Sequence, residues 1–176
     1  DGAVACIIEL DTPGGLLSST EDIVSRISKA TIPIVVYVPR GGWAASAGAF
    51  ITLAADVAAM GPESVIGAST PIAGGGGELS EDERNKAVNL ARQWMKSIAE
   101  EHGRNEEAAM AAVTEAASFS PGEARGIADL STENQEILGV ERLAPPLIDD
   151  AGAGNVEELI DRLGEGIILA NGEPFS

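Results

Sequence analysis

A chain of 176 residues with 44% apolar content is long enough for one domain with a sizeable core and not comfortably long enough for two. Its 28 acidic against 11 basic side chains give a formal net charge of −17. That field repels polyphosphate backbones and anionic lipid and argues against nucleic acid as a partner. Aromatic residues are only 3%, too few for base-stacking platforms or aromatic cages. The solitary Cys6, in the apolar run Val4 to Ile8, excludes an intrachain disulfide and reads as a small core hydrophobe. No run of about 18 apolar residues appears, so the chain itself reads as soluble.

In chain order, "AVACIIEL" and "TIPIVVYV" are short β-branched runs separated by "STEDIVSRISKA", where Ile23, Val24 and Ile27 recur at helical spacing. This predicts a β-α-β unit. Ser19 or Thr20 is the expected helix cap, with Glu21 and Asp22 in the first turn, where the helix dipole favours acids. "WAASAGAFITLAAD" then predicts a small-residue helix, and "VAAMGPESVIGAS" two short strands around a Gly-Pro turn. Gly74 to Gly77 reads as a flexible joint. "SEDERNKAVNLARQWMKSIAEEHG" is one long amphipathic helix capped by Ser80 and stopped by Gly103. A second helix, Glu106 to Ala116, follows, then "SPGEARGIADL" as a short helix turning into a strand. "VEELIDRLGEG" is a final helix and "GIILANGEPFS" a strand with a turn. The alternation defines an α/β domain with a mostly parallel sheet flanked by helices, whose function belongs to the loops after the strands.

Two of those loops are built alike. "DTPGG" at Asp11 to Gly15 and "RGGWAASAG" from Arg40 each follow a strand and precede a helix, so right-handed crossover makes them neighbours. Glycine lets a backbone approach a ligand closely, and helix N-termini leave amides unpaired. The N–H groups of Gly14, Gly15 and Ala47 therefore suit a developing oxyanion. Pro13-Gly14-Gly15 is equally a plain turn. Taken alone, Ser46 between alanines reads first as a helix-packing residue. A nucleophilic serine needs a base, and the only histidine, His102, lies in the polar helix end "EEHGRN", where a solvated residue is expected. Lysine is the other option, among Lys29, Lys86 and Lys96. A lysine used as a base must be neutral, which requires desolvation in an apolar site.

"LDTPGGLLSSTEDIVSRISKATIPIVVYV", "AASAGAFITLAADVAAMGPESVIGAS", "NKAVNLARQWMKSIAEEHGRN" and "SPGEARGIADL" together resemble the amino-terminal protease domain of the NfeD family. Its members are membrane-bound serine proteases of the ClpP/crotonase superfamily, with SppA signal peptide peptidase more distant. The likeness runs in order from about Ala5 to about Leu130. It implies a ClpP/crotonase-like β-α-β superhelix, with 1–130 as the family-like core, 131–155 as a surface insertion and 156–176 as a C-terminal helix and strand. It implies Ser46 as nucleophile and Lys86 as general base, with Lys96 the competing assignment, and Gly14 or Gly15 with Ala47 as the oxyanion hole. The strand "SVIGAS" (Val65, Ile66, Gly67 and Ala68) would pair with an extended substrate, and Trp43 would shape the specificity pocket. The implied activity is a Ser-Lys endopeptidase, without metal or cofactor, that cuts hydrophobic segments of membrane-associated proteins, stomatin-like partners among them. A homodimer or higher homo-oligomer is expected, within a longer membrane-associated protein whose protease domain lies outside the cytoplasm. A crotonase-like acyl-CoA enzyme and a non-catalytic scaffold for membrane-protein tails are the alternatives.

Overall fold

The computed structural model describes residues 2–72 and 80–175, so the glycine joint at 74–77 lies outside the described residues. Cys6–Glu9 (β1), Leu17–Ser28 (α1) and Ile34–Val38 (β2) form the expected β-α-β unit, with parallel pairing from Cys6 opposite Ile34 to Glu9 opposite Tyr37. β2 is buried along its whole length, as an apolar run covered on both faces must be. β1 lies at the sheet edge, and Cys6 on it is exposed, which corrects the expected core thiol. α1 also starts earlier than its polar residues indicate. Leu16 is the N-cap and makes no side-chain cap bond, while the Thr20 hydroxyl donates to the Leu16 carbonyl at 2.9 Å. Ser19 and Thr20 therefore lie within the helix, and Glu21 and Asp22 fall beyond its first turn, because Thr20 satisfies its hydroxyl on the preceding turn.

The expected helix from Trp43 divides in two. Trp43–Ala45 is a strand (β3), Ser46 turns the chain, and Ala47–Leu53 is a fully buried helix (α2). Val57–Met60 (β4) and Val65–Gly67 (β5) are the two expected strands about the Gly61-Pro62 turn, yet they enter different sheets. Glu81–Glu101 (α3) begins in a full capping box between Ser80 and Glu83, and its end passes through Gly103 at φ 62°. Glu106–Thr114 (α4) follows. "SPGEARGIADL" has its strand in front of its helix: Ser118–Phe119 (β6) precedes Pro121–Arg125 (α5).

Residues 131–155, expected as a surface insertion, are built into the fold. After Thr132–Leu138 (α6), Leu143, Leu147 and Ile148 are buried, and Asp150–Ala151 (β7) adds a fourth strand beside β4. Val156–Glu165 (α7) and a terminal turn complete the chain.

The main sheet runs β1-β2-β4-β7, all parallel; a second runs β3-β5-β6, with β6 antiparallel. One apolar cluster joins α1, α2, α3 and α4 to one face of the main sheet. A smaller one packs Leu159 of α7 and Ile167 on Val35, Tyr37, Val57 and Ala59. At the centre Arg104 and Asp149 form a buried ion pair at 2.5 Å. Arg104 also donates to the Leu53 and Ala55 carbonyls at the end of α2, and Asp149 accepts the Ala58 and Ala170 amides at 2.8 and 2.7 Å. This pair anchors α2, the helix that starts at Ser46.

Candidate active site

Ser46 occupies the corner between β3 and α2 with φ 53° and ψ −115°. These angles belong to the first central position of a type II′ turn, which favours glycine. A serine held there places its side chain outside the helix, at its amino end, in the manner of a nucleophile on a strained strand-to-helix turn. The corner is held from three sides. Ser46 N–H donates to the Gly67 carbonyl at 3.0 Å, and the Ser46 carbonyl accepts Ala49 N–H at 3.1 Å. The buried Ser69 hydroxyl reaches the Ser46 and Gly67 carbonyls at 3.3 and 3.2 Å.

The "DTPGG" loop meets this corner as expected. Thr12 bridges to Ala44 as an added parallel strand, and Asp11 Oδ1 accepts Trp43 N–H at 2.8 Å. Gly14, at φ 143°, is pressed against the serine: a Cβ there would stand 3.0 Å from Ser46 Cβ and 3.3 Å from its Oγ. A Cβ on Gly15 would lie 3.7 Å from that of Ala47, so these two residues sit side by side. Gly15, Ser46 and Ala47 open onto a cleft of about 520 Å³ whose other walls include Leu17, Phe50, Pro71, Ile72 and Ala91. The Phe50 ring is in turn stacked on Trp94 of α3 at 4.7 Å.

The structure thus brings Gly14, Gly15, Ser46 and Ala47 together. Lys86 lies in the exposed opening turns of α3, one residue before Ala87, which lines the cleft. Lys96 is drawn the other way, its Nζ 3.5 Å from Glu106 Oε2 of α4. His102 is not solvated as expected but half-buried at the end of α3, where burial, and then the Arg104 guanidinium, holds its pKa below the ordinary value. It faces a separate hollow with Asp56, Asn171 and Phe175 and is no part of the serine cleft. Arg40 is exposed and paired with Glu63 at 2.9 Å.

The expected peptide-binding strand is partly covered. β5 pairs with β3 along Val65 to Gly67 and with β6 at Ile66 and Gly67, so those two residues have no open edge for an added peptide. Ile66 is fully buried, while Trp43 and Ala68 are exposed; none of these five residues lines the cleft. The cleft is lined instead by the residues named above, and Ser69, which also lines it, was missed with them. The signal was present in "GAST", a hydroxyl directly after a buried strand, but a hydroxyl's target cannot be read from spacing.

Two small sheets flanked by helices in this order form a ClpP-like fold. Listeria monocytogenes ClpP1 shares it at TM-score 0.53 and 18% identity, over 84% of this chain and 72% of that one. Residues 1–141 match the NfeD1b N-terminal domain, and the chain belongs to that family. It is 43% identical over 127 residues to the membrane-bound protease PH1510 of Pyrococcus horikoshii, covering 70% of this chain and 29% of that protein. It is 34% identical over 105 residues to the membrane protein NfeD1b of Bacillus subtilis, covering 60% and 23%. The chain therefore spans less than a third of these curated relatives. Among solved structures, the 1510-N membrane-bound stomatin-specific protease superposes at 33% identity. Its lysine-to-alanine mutant, bound to a substrate peptide, gives TM-score 0.71 over 98% of this chain and 72% of that one. A serine-to-alanine mutant gives 0.72 over 99% and 76%. No helix among the described residues is long and apolar enough to cross a membrane.

Proposed function

We propose that this domain is a serine endopeptidase with a Ser46–Lys86 dyad that cuts apolar segments of membrane-associated proteins through an acyl-enzyme. The observation that carries the reading is Ser46, held on a strained corner at a helix amino end and opening onto an apolar cleft. Ser46 Oγ attacks the scissile carbonyl while the Lys86 side chain takes the hydroxyl proton. Amides of the Gly14-Gly15 turn and Ala47 receive the oxyanion. Collapse of the tetrahedral intermediate breaks the C–N bond, and the lysine proton passes to the leaving amine. Water then hydrolyses the Ser46 ester, with Lys86 again as base.

The choice of lysine is supported by spacing. The serine and lysine replaced in the two 1510-N mutants lie forty-one positions apart. Lys86 follows Ser46 by forty and Lys96 by fifty, and Lys96 is engaged with Glu106. Apolar cleft walls favour an apolar peptide, and a stomatin homologue is the proposed natural substrate, by likeness to the stomatin-specific protease. The outer edge of β1 suits assembly with a second copy into a homodimer or higher homo-oligomer, and membrane association would come from a longer protein.

The test is cleavage of an apolar peptide and fluorophosphonate labelling by wild type and by Ser46→Ala, Lys86→Ala and Lys96→Ala. Loss in the first two variants, with folding intact and Lys96→Ala active, is the expected result. Activity retained in Lys86→Ala but lost in Lys96→Ala would overturn the base assignment, and labelling away from Ser46 would overturn the nucleophile.

A further inference from the structure

The "DTPGG" loop contains two glycine amides that could serve an oxyanion, and the hydrogen bonds around Thr12 distinguish them. Thr12 is itself fixed to the serine-bearing strand: its N–H donates to the Trp43 carbonyl at 2.7 Å and its carbonyl accepts Ala45 N–H at 3.1 Å. Its methyl packs where a Cβ on Gly48 of α2 would meet Cγ2 at 2.7 Å, so side chain and helix are in close contact. With its backbone and methyl so held, the hydroxyl binds both polar groups of Gly14. It accepts Gly14 N–H at 3.2 Å and donates to the Gly14 carbonyl at 2.9 Å.

The consequence follows from peptide geometry. In a planar trans peptide the carbonyl and the next N–H point in opposite directions. Drawing the Gly14 carbonyl onto Thr12 therefore turns the Gly15 N–H away from Thr12. Gly15, beside Ala47, lines the Ser46 cleft. We infer that Thr12 is a positioning residue, whose hydroxyl retires the Gly14 amide and aims the Gly15 amide, with that of Ala47, at the oxyanion. This rests on the hydrolase reading of Ser46. The Thr12 hydroxyl acts only through the Gly14-Gly15 peptide, so it affects stabilisation of the tetrahedral state and not the apolar contacts that bind the peptide.

Two variants and one measurement test it. Thr12→Val keeps the methyl shape and removes the hydroxyl; Thr12→Ser keeps the hydroxyl. Losing a well-placed oxyanion donor costs about 10²–10³ in rate. Thr12→Val should therefore lower kcat and fluorophosphonate labelling about tenfold to a hundredfold with KM within about twofold, and Thr12→Ser should restore most of the rate. A Thr12→Val enzyme as fast as wild type, or a Thr12→Ser enzyme as slow as Thr12→Val, overturns the inference alone. Absence of wild-type labelling at Ser46 overturns the hydrolase reading and this inference with it. Should Thr12→Val fail to fold, glycine-labelled wild type is titrated with a peptide boronate. A downfield shift of the Gly15 amide proton is expected, and a shift of Gly14 in its place overturns the assignment.

Discussion

Replacing Asp149 by alanine leaves the Arg104 guanidinium in the interior without its counter-ion. Both side chains are essentially fully buried, so water cannot substitute. Removing one partner of a buried pair costs about 3–5 kcal/mol. The amides of Ala58 and Ala170 lose their acceptor in the same step, and each orphaned buried donor costs about 1–3 kcal/mol, an overlapping contribution that sets 3–5 as a floor. Arg104 Nε, buried and without an acceptor among the described residues, offers no compensation. A domain of this size holds about 5–15 kcal/mol in total, and each kcal/mol moves Tm by about 2–4 °C. Asp149→Ala should therefore lower Tm by about 6–20 °C in thermal denaturation followed by circular dichroism, with Asp149→Asn between it and wild type. Because Arg104 also holds the Leu53 and Ala55 carbonyls, labelling of Ser46 should slow at temperatures where the variant is still folded. A loss below about 1 kcal/mol would mean that the guanidinium reaches solvent and would refute the argument.

Ser69→Ala removes donors to the Ser46 and Gly67 carbonyls, but each carbonyl keeps a backbone partner. A loss of about 0.5–1.5 kcal/mol is expected, together with slower labelling of Ser46; unchanged labelling would show that the corner holds without this hydroxyl. His102 sets an acid-side dependence. Burial and the Arg104 charge lower its folded-state pKa below the ordinary 6.5, so between the two values the unfolded chain binds the extra proton. Stability is full above about pH 6.5 and falls as pH drops through the folded-state value, after which the loss levels off. Urea denaturation at intervals from pH 8 to pH 4 should show His102→Gln losing less than wild type over that window, while Glu101, Asp56 and Asp149 act alike in both proteins. Parallel curves would show that His102 is as solvated in the fold as in the unfolded chain.

The β-α-β unit, the capped long helix and the meeting of "DTPGG" with "AASAG" were legible because each rests on local pattern: period, cap chemistry and glycine placement. β3 was hidden because Trp43, Ala44 and Ala45 have no strand periodicity; they are extended because Thr12 and β5 pair with them from either side. β7 is two residues long, too short for any pattern, and Cys6 is exposed because edge position depends on strand order. In the site, residue types were legible and directions were not. Val65 to Ala68 read as an open strand because nothing in "SVIGAS" records that β6 covers Ile66 and Gly67. Ser69 and Thr12 matter through hydroxyl orientation, which only the fold determines.

The backbone of Ser46 puts chemistry and folding in competition at a single position. A side chain forced into glycine's territory costs about 1–3 kcal/mol, a sizeable part of what a small domain has to spare. Glycine at this corner would relieve that strain and, on the proposed reading, leave nothing to be acylated. Selection for a sturdier molecule alone would then tend to erase the proposed nucleophile. Gly14 and Gly48 beside the corner belong to the same competition, since a Cβ on either would crowd Ser46 or Thr12 out of place.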